Sequence, residues 1–106
     1  MSSESILSEL AEGSVLMDHA AGLHARPSVK LTQLAKTFSA RIELGVSQNG
    51  PWIDAKSIVK VMAAKVPQGT EIHFEAEGTD ASAAVTALLG LVERDFDEAE
   101  ADAASS

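Results

Sequence analysis

The chain has 106 residues, 45% of them hydrophobic, and a formal net charge of −8 at pH 7. This length is enough for one domain, and the acidic balance argues against nucleic acid as a partner. The lack of cysteine excludes disulfides, thiolate metal sites and cysteine catalysis. The sequence has neither an apolar run near the roughly 18 residues that cross a membrane nor a secretion signal, so we expect a cytoplasmic protein without membrane insertion.

The first third of the chain predicts a short strand and then a helix. Residues 1–13 are rich in serine and glutamate, and we expect them to be a flexible N-terminal extension of a domain that spans residues 14–98. Val15 and Met17 predict a short first strand. A helix over residues 25 to about 37 is predicted by apolar side chains at the spacing i, i+3, i+4 and i+7, which are Leu31, Leu34, Ala35 and Phe38.

The middle of the chain predicts a hairpin. Strict alternation over residues 41–46 is typical of a strand, with three side chains facing inward: Ile42, Leu44 and Val46. Asn49-Gly50 is a strong signal for a hairpin turn, and Ile53 and Ala55 are the expected inward positions of the next strand.

The last part of the chain predicts a short helix, a strand and a long helix. Ser57 is expected to cap the short helix, because its hydroxyl can accept a bond from an N–H one turn further on. Residues 71–77 alternate as a strand, with His73 outward and solvated and with three buried positions: Ile72, Phe74 and Ala76. Gly78-Thr79-Asp80 is predicted to end that strand and to cap the final helix, whose inner stripe is Val85, Leu88, Leu89, Val92 and Phe96.

The predicted element order is therefore β-α-β-β-α-β-α. Antiparallel strands with helices on one face form a two-layer α+β domain. Residues 99–106 are acidic and rich in alanine, and we expect them to be a disordered tail.

The segment Gly22-Leu23-His24-Ala25-Arg26-Pro27 opens the first predicted helix. It places His24 at the helix entrance and Pro27 in the first turn, where the missing N–H costs nothing. The N–H groups of a first turn form an anion site, and the guanidinium of Arg26 is suited to phosphate oxygens. A neutral imidazole there can attack an electrophile and then leave a transferred phosphoryl group beside those N–H groups. The alternative is an ordinary histidine near a helix start.

Basic residues occur in pairs around two of the predicted helix starts. Arg26 and Lys30 are four residues apart, as are Lys56 and Lys60 on either side of Ser57, so each pair shares one helical face. If the two helices adjoin, these pairs form a positive surface on an acidic protein, and otherwise they are solvated faces. The histidines lack metal-ligand spacing and the Gly-rich loop of nucleotide enzymes is absent from the sequence, so we expect neither a metal nor a cofactor.

Three motifs resemble one family in order and spacing: Gly22 to Pro27, Lys56-Ser57-Ile58 and Gly69-Thr70-Glu71-Ile72. The family is HPr, the histidine phosphocarrier of the bacterial phosphotransferase system, and the match extends from about Ser14 to Glu98. The resemblance implies an open-faced β-sandwich, a four-stranded antiparallel sheet covered on one face by helices. It also implies that His24 accepts a phosphoryl group from phosphorylated enzyme I through Nδ1 and passes it to IIA-type acceptor domains.

The same resemblance assigns further roles around His24. The backbone N–H groups of Ala25 and Arg26, with the Arg26 guanidinium, hold the phosphate on a carrier with a transient phosphohistidine rather than a turnover enzyme. Partners are expected to dock on an apolar patch with basic neighbours. The apolar residues are Ala25, Val29, Val59 and Met62, and the basic residues are Lys30, Lys56 and Lys60. We expect a monomer.

The resemblance leaves regulation and output open. A dedicated HPr kinase/phosphorylase modifies the serine that matches Ser57, and the sequence does not say whether the source organism has that kinase. It also does not separate sugar uptake from nitrogen or carbon regulation. The alternative is a non-catalytic α+β regulatory or ligand-binding module, because many such modules share this element order.

Overall fold

The computed structural model describes residues 9–20 and 22–97. Their elements follow the predicted order: β1 (Glu9–Met17), α1 (Ala25–Lys36), β2 (Arg41–Gly45), β3 (Trp52–Asp54), α2 (Ile58–Ala63), β4 (Thr70–Gly78), α3 (Ala81–Glu93) and a 3-10 turn at Asp95–Asp97. The strands form one antiparallel sheet in the order β1-β4-β2-β3. The predicted α+β fold class with an open, four-stranded antiparallel sheet is confirmed.

Strand β4 shows how the sheet acquires one covered and one open face. Its apolar side chains Ile72, Phe74 and Ala76 are buried, and the alternate residues Glu71, Glu75 and Glu77 are exposed. Successive strand residues point to opposite faces, so the alternation of the sequence decides which face the helices cover. Helix α3 packs against both β1 and β4, with Val85, Leu88 and Val92 buried as predicted and Leu91 buried in addition.

Strand β1 is longer than predicted. It begins at Glu9 and pairs with β4 along its whole length, from Glu9 opposite Gly78 to Met17 opposite Thr70. Residues 9–13 therefore belong to the sheet, which corrects the flexible extension expected there. Gly13 interrupts the alternation of apolar side chains that would have indicated this part of the strand. A side chain does not fit there, because a Cβ at that residue would lie 2.8 Å from Cδ1 of Leu89. The predictions for residues 1–8 and for the tail fall outside the described residues.

The connection between β2 and β3 differs from the prediction at one end. Val46 is 43% exposed rather than buried, because β2 ends at Gly45, opposite Trp52, and the chain then turns away from the core. Gly50, at φ +85°, donates its N–H to the carbonyl of Ser47 at 3.0 Å, so a turn is present, but its central residues are Gln48 and Asn49 rather than Asn49 and Gly50. Ala55 is fully buried as predicted, just beyond the end of β3.

His73 lies on the open face of the sheet but is not solvated as expected. Its side chain is only 12% exposed, and Nε2 lies 3.5 Å from Oε1 of Glu71. On this inner strand His73 pairs with Ser14 of β1 and Gly45 of β2, and the Trp52 ring lies close over Gly45. The shielding is a tertiary effect that the alternation of β4 does not predict.

The carboxylate of Asp80 serves a different segment from the one predicted. Asp80 occupies the N-cap position of α3 without a side-chain bond to that helix. Instead it accepts the backbone N–H groups of Ser39 and Ala40, both at 2.8 Å, and ties the end of the α1–β2 connection to the start of α3. The bond from Ser39, followed by that from Ala40, lowers the pKa of Asp80 below its ordinary value.

Helix α3 ends at Glu93, and a left-handed turn follows it. Asp95, Phe96 and Asp97 have φ values of 57°, 57° and 62°, which returns the chain toward the core. Phe96 is fully buried as predicted, but it reaches the core from this turn rather than from the helix. Among the described residues, none of the helices combines the length and the apolar character needed to cross a bilayer.

The His24 site at the start of helix α1

A tightly bonded loop delivers His24 to the start of α1. Gly22 has φ +75°, and a Cβ there would lie only 2.7 Å from the carbonyl oxygen of Val66, so the residue must be glycine for two reasons. The N–H of Leu23 donates to that same Val66 carbonyl at 2.8 Å, and the Leu23 side chain is buried. The loop is therefore anchored to the segment before β4 immediately ahead of the histidine.

His24 is the N-cap residue of α1. Its backbone is extended (φ −97°, ψ −154°), and its carbonyl accepts the N–H of Ser28 at 2.9 Å. Within residues 9–20 and 22–97 its side chain makes no cap bond to the helix, and the residue is exposed. The buried hydroxyl of Ser28 donates to the carbonyl of Leu23 at 3.2 Å and so fixes the backbone on both sides of His24.

The first turn of α1 offers a particular set of hydrogen-bond donors. Pro27 has no N–H, and the N–H of Ser28 goes to the His24 carbonyl, so the first-turn N–H groups that precede these are those of Ala25 and Arg26. Both residues are exposed beside His24. The positive end of the helix dipole and the Arg26 guanidinium favour an anion at this position. An imidazole with this surrounding can accept a phosphoryl group and keep it beside cationic and N–H donors.

A second histidine lies next to the first, and sequence reasoning missed it. The ring centroids of His19 and His24 are 5.6 Å apart, and the rings are inclined by 60°. His19 also meets Phe96 of the C-terminal turn edge-on, at 5.8 Å and 71°. No periodic sequence pattern indicates this contact, because the two histidines lie in a loop that reverses direction. In that loop the N–H of Gly22 donates to the His19 carbonyl at 2.9 Å.

Ser57 caps α2 as the sequence predicts. Its backbone is extended, and its hydroxyl accepts the N–H of Lys60 at 3.2 Å. The two lysines beside Ser57 differ in their hydrogen bonding and exposure. Lys56 donates its ammonium to the carbonyl of Phe38 at 2.8 Å, and Lys60 is exposed. Lys30 on α1 likewise donates to the carbonyl of Phe96 at 2.8 Å.

The apolar residues assigned to docking lie at the surface. Val29 and Met62 are each 40% exposed, Val59 is 75% exposed, and Ala25 is exposed beside His24. Helices α1 and α2 pack against each other. Across the described part of the chain, no group of three or more His, Cys, Asp or Glu side chains is arranged to hold a metal ion.

Comparison of the sequence with known proteins identifies a family. Residues 11–94 match the model described as "PTS HPr component phosphorylation site". The phosphocarrier protein HPr of Cupriavidus necator is 44% identical over 79 residues, which cover 74% of this chain and 86% of that protein. The phosphocarrier protein NPr of Proteus mirabilis is 36% identical over 77 residues, 73% of this chain and 84% of that protein.

Solved structures agree with the sequence match. The crystal structure of HPr-C-His from Thermoanaerobacter tengcongensis superposes with a TM-score of 0.76 at 34% identity, covering 82% of this chain and 96% of that one. The family model spans most of the chain, including all residues around His24. The chain thus belongs to the HPr family, the phosphocarrier proteins of the phosphotransferase system.

Proposed function

We propose that His24 is the residue on which this phosphocarrier holds its phosphoryl group. The observation that carries the proposal is an exposed imidazole at a helix N-cap whose side chain makes no cap bond among the described residues. Ala25 and Arg26, whose backbone N–H groups open α1, directly follow His24 in the chain and are exposed. His73 lies on the opposite face of the sheet and is largely shielded there.

The transfer needs little from the carrier beyond placement and charge. The lone pair of the His24 ring nitrogen, Nδ1 in the proposal, attacks the phosphorus of a phosphohistidine on enzyme I. A new N–P bond forms as the donor's N–P bond breaks, and the donor ring nitrogen keeps that electron pair. The transition state is loose, so positioning and electrostatic stabilisation supply most of the catalysis. The N–H groups and Arg26 stabilise the phosphoryl oxygens during and after this step.

The surface around His24 supports an encounter with several partners in turn. Exposed Val29, Val59 and Met62 provide apolar contact, and Lys60 adds a positive charge on an otherwise acidic protein. Such a surface suits acidic partners with an apolar rim around a phosphohistidine or an acceptor histidine. The proposed donor is enzyme I, the acceptors are IIA-type domains, and the monomeric carrier moves between them in the cytoplasm.

Ser57 is proposed as a regulatory phosphorylation site. Its hydroxyl is at the start of α2, close in sequence to the docking residues Val59 and Lys60. A phosphoserine adds nearly two negative charges, which would repel an acidic partner from this surface. An HPr kinase/phosphorylase is the proposed modifying enzyme.

Mapping the phosphate tests the proposed role of His24. The protein is incubated with enzyme I and phosphoenolpyruvate, and the labelled site is located by peptide mapping. We expect an acid-labile, base-stable phosphate on His24 and none on His19 or His73. Label on another residue contradicts the assignment to His24, and a protein that stays unlabelled supports the alternative of a ligand-binding module.

A further inference from the structure

We propose that His19 is a positioning residue for His24: its ring, which packs on Phe96 of the C-terminal turn, restricts the phosphoryl-accepting imidazole. This inference rests on the proposed role of His24 and adds a residue outside the motif that surrounds it. The observation behind it is a line of three rings, in which Phe96 contacts His19 and His19 contacts His24.

The His19–His24 contact has the geometry of an interacting ring pair. The centroid separation of 5.6 Å and the inclination of 60° fall within the range in which aromatic rings attract each other in tilted arrangements. His24 has no side-chain bond to α1 within the described residues, so its backbone is fixed but its ring is not fixed by the helix. The His19 ring is the aromatic neighbour that restricts it.

The other end of the line is anchored in the core. Phe96 is fully buried, and its edge-on contact with His19 at 5.8 Å and 71° gives the histidine ring a fixed surface. The backbone at Phe96 is held in place as well, because its carbonyl accepts the ammonium of Lys30 at 2.8 Å and the N–H of Asp97 donates to Arg94 at 3.0 Å. The C-terminal turn is thus tied to α1, the helix that His24 opens.

The backbone of His19 is fixed by the same loop that delivers His24. The N–H of Gly22 donates to the His19 carbonyl at 2.9 Å, and the N–H of His24 donates to the Gly22 carbonyl at 3.0 Å. The two histidines therefore have a set separation. Both rings project from one short loop, and only one of them has the phosphate-binding N–H groups of α1 beside it.

Phosphoryl transfer is sensitive to this restriction. The attacking nitrogen must align with the phosphorus and the leaving nitrogen, and a displacement of about 1 Å can cost about 100-fold in rate. Without the His19 ring, His24 samples more rotamers, and a smaller fraction of docked complexes has the attack geometry. Docking itself is unaffected, because His19 is not part of the apolar patch formed by Val29, Val59 and Met62.

The test compares three variants in phosphoryl transfer from phosphorylated enzyme I. We expect His19→Ala to lower the rate at saturation by about tenfold, within the range known for misplaced reacting groups, and to leave the half-saturating concentration unchanged. His19→Phe keeps a ring between Phe96 and His24, so it restores most of the rate. His73→Ala removes the histidine on the opposite face of the sheet and serves as the matched control with the wild-type rate.

An NMR measurement separates positioning from a loss of fold. Three-bond couplings of the His24 side chain are expected to report one rotamer in the wild type and in His19→Phe, and rotamer averaging in His19→Ala. A wild-type rate with a single His24 rotamer in His19→Ala overturns the proposal, as does a slow His19→Phe variant that keeps its fold. A wild-type protein that carries no phosphate on His24 instead overturns the proposed function, so the two failures are distinguishable.

Discussion

Helices α1 and α2 begin in opposite ways. At α2, the Ser57 hydroxyl accepts the N–H of Lys60, so the side chain at the N-cap closes the helix start. At α1, the N-cap residue His24 contributes only its backbone carbonyl to the helix, within the part of the chain described, and its ring is exposed. The side chain at an N-cap thus either satisfies an N–H of the first turn, as at α2, or leaves the first turn to other partners, as at α1.

The open start of α1 requires support from elsewhere. A helix whose N-cap side chain does not help it loses about 1 kcal/mol relative to a capped one. Here the buried Ser28 hydroxyl bonds to the Leu23 carbonyl, and Leu23 bonds to Val66, so the neighbouring segments hold the helix entrance. The side chain of His24, the proposed phosphoryl acceptor, is therefore not needed to stabilise the start of α1. Opposite effects are expected when His24 and Ser57 are replaced.

Replacing the α1 cap is expected to give the largest effect. His24→Ala should abolish labelling by enzyme I and phosphoenolpyruvate, because the accepting nitrogen is gone. The free energy of unfolding should stay close to wild type, because the side chain makes no cap bond and is exposed. Labelling is measured with radioactive phosphate and stability by urea denaturation. Persistent label in His24→Ala would show that another residue carries the phosphate.

The second prediction concerns the charge beside the open start. Arg26→Ala is expected to slow phosphoryl transfer by about tenfold or more, equivalent to roughly 1.4 kcal/mol of transition-state stabilisation. Arg26→Lys should recover only part of this loss, because an ammonium lacks the planar fork that matches phosphate oxygens. Single-turnover rates measure both variants. Equal rates for wild type and Arg26→Ala would mean that the backbone N–H groups are sufficient.

At α2, where the Ser57 hydroxyl caps the helix, removal of the side chain is expected to affect stability rather than phosphoryl transfer. Ser57→Asp keeps a side chain that caps a helix and adds a negative charge near the docking residues, so the protein should remain as stable as wild type but accept phosphoryl more slowly. Ser57→Ala is the matched control: it should lose about 1 kcal/mol of stability and keep its transfer rate. A Ser57→Asp protein that is phosphorylated at the wild-type rate would limit Ser57 to capping.

The fold was predictable because most of its elements are periodic. Alternation identified β2 and β4, the 3.6-residue repeat identified α1 and α3, and a single hydroxyl identified the start of α2. The errors occur where periodicity is interrupted. Gly13 removes the side chain that would mark the first half of β1, and Val46 continues an alternation that the backbone abandons after Gly45.

The candidate site could be proposed from the sequence only where its residues are contiguous. The motif from Gly22 to Pro27 contains the histidine, the arginine and the helix start, so local reasoning found them together. The contact between His19 and Phe96 escaped this reasoning because it joins a reversed loop to a left-handed turn, neither of which has a repeating pattern. The sequence likewise could not show that Lys30 and Lys56 donate to the carbonyls of Phe96 and Phe38.

Helix α3 extends the comparison to a third kind of start. Its N-cap residue Asp80 bonds to Ser39 and Ala40 instead of its own helix, so the carboxylate joins two segments distant in sequence. Those bonds lower its pKa in the folded state below the ordinary value of 3.8. A carboxylate with a lowered folded pKa contributes stability above its unfolded pKa and loses that contribution as the pH falls through the folded pKa.

The smallest predicted effect follows from this pKa. Asp80→Asn should be less stable than wild type at neutral pH, since Ser39 and Ala40 bond to different carboxylate oxygens and the amide replaces one of these acceptors with an NH2 donor. Its stability should also fall less steeply than that of wild type as the pH decreases below 3.8, because the lost group no longer titrates. Urea midpoints measured across this acid range test the slope. Parallel acid curves for Asp80→Asn and wild type would show that the bonds to Ser39 and Ala40 do not depend on the charge of Asp80.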